Sequence, residues 1–434
     1  MHAKGLAVLL GLGIVATAAC GEAQVEMTPG LQAFVGARII DGTGADAVEN
    51  GVLVVRDGRI EAVGPADAVE VPPDAEQIDV GGRTIMPGLI NAHGHVNNVR
   101  GLESDPSFYT EEHVEAQLAL YARYGVTTVF SLGGDGPEGV AVRDRQQADP
   151  DIDEARYYLS GNIPTGPSPE EATEQANAAI ALGSDIVKIR VDDNLGASTK
   201  MTPETYQAVI DTAHENDLRL AAHMYYLEDA KGLLAAGADL LAHSVRDAAV
   251  DDELIAQLRE TGVCYCPTLM REVSTYVYES RPDWFDDPFF LKEADPGVVA
   301  ALEDPAYQER LQNSTSAQTY KAQLEVAKAN LKALSDAGIP IAMGTDTGPA
   351  ARFQGYFEHG ELAIMVEAGL TPMQAIVAST SDAARCMQVD GDLGSLEAGK
   401  WADFLVLGAN PLDDIGNTHS LESVYIAGNA VPGV

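Results

Sequence analysis

Positive charge is what this sequence has least of: 27 Lys and Arg stand against 66 Asp and Glu, for a formal net charge of -39. The acids are spread along the chain rather than gathered in one tail, which reads as a solvated surface. A surface of that sign excludes nucleic acid and an anionic membrane face as partners. Cysteine is also sparse, at four residues. Cys264 and Cys266 alternate on one strand pattern, where a disulfide between neighbours is disfavoured. With Cys386 they are read as small core residues. No repeat or low-complexity tract stands out, and the apolar fraction is ordinary. What remains is a globular chain of 434 residues, enough for one large barrel or two domains.

The N-terminus differs from the rest. A short basic start (residues 1–4) precedes an apolar run over 5–19, too short to span a bilayer comfortably. Thr17, Ala18 and Ala19 then lead into Cys20. Residues 1–20 therefore read as a secretory signal peptide, and the run ending at Cys20 resembles a bacterial lipobox. The expectation is an exported protein, periplasmic or anchored to the membrane by lipid at Cys20. A buried N-terminal helix fits poorly with the polar stretch 21–30 that follows.

Two patterns organise the mature chain. Residues 30–83 read as short strands and turns, with Asp57-Gly58 as a hairpin signal, and strand patterns return over 403–407 and 423–427. Strands at both ends around a different middle predict a small β-sandwich domain composed of 30–83 and 397–434. Between them, eight strand candidates (84–92, 127–131, 156–160, 185–190, 219–223, 239–243, 263–268 and 339–345) alternate with helical patterns such as 111–124, 168–182, 203–216 and 321–337. That alternation predicts parallel strands with crossover helices, an α/β fold of the (β/α)8 TIM-barrel type over 84–396. The C-terminal ends of its strands are where chemistry is to be sought.

Polar residues collect at those ends. The first strand finishes in His93-Gly94-His95, whose alternate side chains can reach one ion together. Lys188 lies on the fourth strand between apolar neighbours, His223 ends the fifth, His243 the sixth, and Asp346 the eighth. Each has a plainer reading. A lone strand-end histidine is most often a satisfied core residue, Lys188 could pair with Asp185 or Asp192, and Asp346 could organise a turn. The joint pattern over five strands outweighs these. An unpaired ammonium on a buried strand is costly. Conversion of the amine to a carbamate turns it into an anionic ligand able to bridge two metals.

The constellation resembles the binuclear amidohydrolases, and within them the imidazolonepropionase-related, prolidase-like group. The motifs are Gly82-Arg-Thr-Ile-Met-Pro-Gly-Leu-Ile-Asn-Ala-His-Gly-His95, Gly125-Val-Thr-Thr128, Gly183-Ser-Asp-Ile-Val-Lys-Ile189, Ala221-Ala-His223, Leu241-Ala-His243, Met343-Gly-Thr-Asp346 and Gly394-Ser-Leu-Glu-Ala-Gly-Lys-Trp-Ala-Asp403. The resemblance implies that His93, His95 and Asp346 hold one divalent metal, His223 and His243 a second, and carboxylated Lys188 bridges them. Zinc is the first choice for such ligands, with manganese or iron as alternatives. Two cations would acidify a bridging water to hydroxide and polarise a scissile carbonyl, with Asp346 moving the proton to the leaving amine. The implied activity is hydrolysis of an amide bond in a small-molecule or short-peptide substrate, peptide-like or N-acyl amino acid.

Above the metals the reading is thinner. Tyr225, two residues past His223, could donate to a developing oxyanion. Arg190 and Arg271 could grip a substrate carboxylate, although surface pairing suits each equally well. Related peptidases carry a Thr-Gly-Gly-His type loop after strand three, whereas this chain reads Thr165-Gly-Pro-Ser168. The long stretch 271–313, with Tyr276, Tyr278, Trp284, Phe285, Phe289 and Phe290, is either a binding wall or a packing excursion. Glu358 and His359 are assigned to a solvated helix face. Competing functions are cyclic-amide hydrolysis resembling imidazolonepropionase, deamination, and solute binding by a non-catalytic lipoprotein. Lys188 argues against the first. Tyr226, where deaminases usually have a glutamate, argues against the second. Retention of Asp346 argues against the third. Oligomeric state leaves no mark in the sequence.

Overall fold

The computed structural model describes residues 28, 30–149 and 152–434; the expected signal peptide and Cys20 lie outside them. An antiparallel meander opens the chain: β1 (Leu31–Ile39), β2 (Val48–Arg56) and β3 (Arg59–Pro65). Asp57 and Gly58 turn between the last two with φ of 48° and 78°, the left-handed pair that a tight hairpin requires. β4 (Glu76–Asp79) and β5 (Thr84–Pro87) then run parallel to β1.

The barrel follows as β6 (Leu89–Gly94), after which a short hairpin, β7 (Val99–Arg100) and β8 (Glu103–Ser104), decorates its rim. β9 (Val126–Ser131) and β10 (Arg156–Leu159) complete a parallel arc with β6. A second parallel arc comprises β11 (Val187–Val191), β12 (Leu220–Met224), β13 (Leu240–Ala242) and β14 (Cys264–Cys266). Hydrogen bonds join the arcs. Asp185 N–H donates to Leu159 O at 2.8 Å on one side. On the other, residues 341–345 lie between them as the eighth staves: Ala342 N–H donates to Tyr265 O at 3.0 Å and Ala92 N–H to Met343 O at 2.9 Å. The strand interiors are buried on both faces, as parallel staves under a helical layer must be. The helices start on side-chain caps such as Thr110, Ser168, Thr202 and Asp251, which satisfy backbone N–H groups that would otherwise lack partners.

The chain then returns to the first sheet. β15 (Phe404–Leu407) pairs with β5, and β16 (Leu421–Ile426) and β17 (Asn429–Ala430) extend the edge. The β-domain is thus assembled from both chain ends, knitted by Phe34, Phe404 and Tyr425 with ring centroids 4.6–4.9 Å apart. One boundary differs from expectation. The stretch 84–92, read as a single barrel strand, is two strands in different sheets. Pro87 and Gly88 part them, and a Cβ on Gly88 would come within 2.1 Å of Thr127 Oγ1, so only glycine lets the chain pass there.

One open reading is narrowed and one expectation is corrected. The stretch 271–313 is a run of short helices from Leu269–Ser274 to Pro305–Gln312, with Tyr278, Phe285 and Phe290 buried. Trp284 packs on Phe290, Phe353, Tyr356 and Phe357. These aromatics are therefore part of the core. The cysteine reading also changes: Cys264 and Cys386 form a disulfide across 122 residues of sequence, and among the described residues Cys266 is the one free, buried thiol. The helix Ser381–Cys386 carries its last residue against the start of β14, a contact no local spacing could announce. Closing so long a loop restricts the unfolded chain, worth about 2–5 kcal/mol. Cys386→Ser, or reduction of the wild type, is expected to lower unfolding free energy by that amount, read by denaturant titration with and without reductant.

Candidate active site

The C-terminal mouth of the barrel gathers the five strand ends named from sequence. His93 is buried, its ring 4.5 Å from that of His243, which lies 4.2 Å from that of His223; His95 stands 5.6 Å from His93. His93, His243 and Asp346 each bring a ligand atom within 4.8 Å of one another. Lys188 Nζ lies 3.1 Å from His93 Nε2. Neither carboxylate considered as its partner reaches it: Asp185 is engaged by Arg143, and Asp192 by His223 and Arg190.

Neighbouring groups orient the rings. His95 Nδ1 meets Gly133 O at 3.0 Å and its Nε2 meets Asp346 Oδ1 at 2.7 Å, so each ring nitrogen faces an oxygen. His243 Nδ1 meets Thr268 Oγ1 at 2.7 Å. His223 Nε2 donates to Asp192 Oδ2 at 2.8 Å, which leaves Nδ1 as its lone-pair nitrogen. A second group holding the far nitrogen is the usual arrangement around metal-binding histidines. His93 Nδ1 is buried without a partner. Backbone strain concentrates here as well, with φ of 114° at His243, 50° at Thr268 and 56° at Asp346, conformations that L-residues keep only where the surroundings enforce them.

Electrostatics favour ligand duty. Burial, then the neighbouring cations, hold His93 and His243 well below the ordinary histidine range, and burial pushes His223 down to about 3. All three are therefore neutral with lone pairs free at ordinary pH. Burial pushes the Lys188 amine down to about 8, against the pull of Asp346. Burial opposes the Asp346 charge, but the Arg352 guanidinium and His95 outweigh it and hold that carboxyl well below its usual range. An orphaned imidazole nitrogen on His93 and a histidine-carboxylate donor set fit divalent metal.

The residues assigned to substrate fare differently. Arg190 shares the inward face of β11 with Lys188 and lies 3.5 Å from Asp192 Oδ2. It lines a cavity of about 300 Å³ with Thr165, Gly166, Pro167, Lys200 and Met201. The altered loop after strand three thus forms a wall next to the site. Arg271 is buried, with Nη1 donating to both oxygens of Glu272 at 3.0–3.1 Å and Nε 3.9 Å from Asp346 Oδ2; it is no surface pair. Tyr225 is buried under the guanidinium of Arg246, 4.6 Å from its ring centroid, with Tyr226 and Tyr320 beside it.

Several participants escaped sequence reasoning. Asp192 follows Lys188 and Arg190 at the same two-residue step, which was the available signal. Arg246 and Arg352 lie on loops, and only the folded chain shows the first against Glu272 and the second against Asp346. Glu358 and His359, expected on a solvated face, are both buried. Glu358 Oε1 accepts from Asn91, Thr345 and Thr347 at 2.6–2.8 Å, bracing the loop that carries Asp346. His359 bonds Thr418 and the Tyr124 carbonyl. Glu358 is buried against the barrel, and His359 under Phe289 of the aromatic excursion at 4.9 Å between ring centroids.

An α/β barrel with an accessory β-domain and histidines, a lysine and an aspartate at its C-terminal mouth defines a metallohydrolase-type barrel. The amidohydrolase family model matches residues 84–431, and the chain belongs to that family. It is a hydrolytic enzyme acting on C–N bonds. Among characterised relatives, imidazolonepropionase of Geobacillus kaustophilus is 24% identical over 383 residues, covering 83% of this chain and 84% of that protein. The 5-methylthioadenosine/S-adenosylhomocysteine deaminase of Symbiobacterium thermophilum is 25% identical, covering 92% and 89%. In structure, a protein of Bifidobacterium longum provisionally named a prolidase superposes with a TM-score of 0.74 at 27% identity, covering 94% and 95% of the two chains.

Proposed function

We propose that the protein hydrolyses an amide bond in a peptide-like or N-acyl amino acid substrate, with two divalent metals, zinc foremost, held at the barrel mouth. The observation that carries this reading is Lys188: a buried amine with no carboxylate partner, 3.1 Å from a histidine that belongs to the ligand set. Carboxylation of its Nζ would replace the buried cation with an anion whose oxygens could serve as metal ligands. His93, His95 and Asp346 would hold one metal, His223 and His243 the other. Bound there, the metals would acidify a water and polarise the scissile carbonyl. Asp346 holds its inner oxygen toward the histidines and its outer oxygen toward Arg352, placed to take a proton and return it to the leaving amine.

A cyclic-amide hydrolase remains the second reading, favoured by the likeness to imidazolonepropionase. Lys188 favours the first. Deamination is opposed by Tyr226 at the position three residues beyond His223. The Cys264–Cys386 disulfide supports export to an oxidising compartment. Purified enzyme is expected to carry two equivalents of transition metal, and apoenzyme to regain activity only with metal and bicarbonate together. One equivalent, or indifference to bicarbonate, would refute the bridged centre. Dipeptide and N-acyl amino acid libraries, assayed beside a cyclic amide, separate the two substrate readings.

A further inference from the structure

Asp346 is not flanked by histidines alone. Arg352, from the loop after the eighth stave, donates through Nη1 to Asp346 Oδ2 and to its backbone oxygen, and through Nε to Ser274 Oγ at 3.1 Å. Arg271 approaches the same carboxylate oxygen from the end of the seventh strand, its Nε buried with no hydrogen-bond partner. Beneath them, fully buried Arg246 lies 3.2 Å from Glu272 Oε1, and its Nη2 has no partner either.

The charges do not balance. Three guanidiniums share two carboxylates, Glu272 and Asp346. The second of these is also the residue that faces the histidines. Arg190, by contrast, has the Asp192 carboxylate 3.5 Å away, so its charge is answered. A buried cation without a counter-charge is costly. Such an excess is unexpected in a chain with 27 basic residues against 66 acidic ones. Arg271 is 9% exposed and Arg352 19%, so the outer guanidinium is the one a ligand can reach.

We propose that Arg352 and Arg271 form a carboxylate-binding fork, and that the substrate carries a carboxylate close to its scissile amide. The planar guanidinium matches a carboxylate bidentately, and the incoming anion completes the balance that Glu272 and Asp346 leave short. Arg246 acts from below through Glu272, as a positioning residue. This assignment rests on amide hydrolysis as the reaction. It shifts carboxylate recognition from Arg190 to the side of the barrel formed by the seventh and eighth strands.

The test compares the metal-loaded enzyme on N-acetyl amino acids and on N-alkyl succinamates, each beside its uncharged carboxamide counterpart. The first series places the carboxylate on the amine side of the amide, the second on the acyl side. The acid of one series is expected to exceed its carboxamide in kcat/KM by roughly a hundredfold. Arg352→Met should collapse that ratio, read apart from any fall in turnover of both compounds that follows from its contact with Asp346, and Arg352→Lys should restore part of it. Equal kcat/KM for acids and carboxamides, or a ratio untouched by Arg352→Met, would overturn the fork. Should no compound be hydrolysed, the amide reading fails on its own, and the same compounds are titrated by calorimetry. Acid-selective binding lost in Arg352→Met would then still uphold the fork, and binding blind to the carboxylate would refute it.

Discussion

Lys188→Met is expected to leave a folded enzyme that has lost its metals and at least about three orders of magnitude in kcat/KM. Methionine replaces the stem with an apolar chain of similar length, so the buried volume is kept and the fold has little to lose. What disappears is the only group on β11 able to supply an anionic oxygen beside His93. Losing the stabilisation that a metal centre gives is worth several kcal/mol, roughly a thousandfold or more in rate. Lys188→Ala carries the sharper outcome, because it opens a space where the lysine stem ran. A short carboxylate such as acetate can then stand in for the carbamate, and activity is expected to return in part with its concentration. Circular dichroism checks folding and metal analysis checks occupancy. A fully active Lys188→Met enzyme would remove the bridging ligand from the account.

The amine chemistry behind that expectation has a defined direction in pH. Only the neutral amine attacks carbon dioxide, and burial brings the Lys188 pKa down to about 8. The neutral fraction therefore grows as pH rises toward and through that value, whereas an exposed lysine would still be almost wholly protonated. Activation of apoenzyme at fixed dissolved carbon dioxide is accordingly expected to quicken between about pH 7 and pH 8.

The site was legible in the sequence wherever a rule of strand geometry applied. His93, His95, His223, His243 and Asp346 sit at barrel strand ends and Lys188 within β11, and an alternating backbone fixes which way such residues face. Once the staves were counted, their convergence followed. What escaped depends on contacts between distant segments. Cys264 and Cys386 are 122 residues apart, and their pairing depends on where the helix Ser381–Cys386 docks. Glu358 and His359 look like polar residues on a surface helix until the first docks against the barrel and the second is covered by Phe289. Arg246 and Arg352 come from loops, for which no periodicity says where a side chain points. The barrel could therefore be read from pattern, and the charge balance around Asp346 could not.

That balance makes Asp346→Asn the most informative single substitution. The amide keeps an oxygen that can face the metal, so much of the metal should stay bound, but it cannot accept a proton. Removing a positioned general acid–base group costs roughly 10²–10⁴-fold in rate, and kcat is expected to fall by that much. The second consequence concerns the arginines. Asp346 is one of two carboxylates shared by Arg246, Arg271 and Arg352, and asparagine withdraws its negative charge. The fork then has more need of an anion. Carboxylate substrates are expected to bind the variant at least as tightly as wild type, with KM unchanged or lower while kcat collapses. A loss of binding that parallels the loss of turnover would mean that Asp346 holds substrate rather than a proton. Retention of most of kcat would remove it from proton transfer altogether. Either result would be read against Arg352→Met, in which the carboxylate remains and the fork is gone: there KM for the acid should rise relative to KM for its carboxamide, and any fall in kcat should be shared by both compounds. Opposite movements of KM for the acid in the two variants would separate the aspartate's chemistry from the arginines' grip, although the two side chains touch.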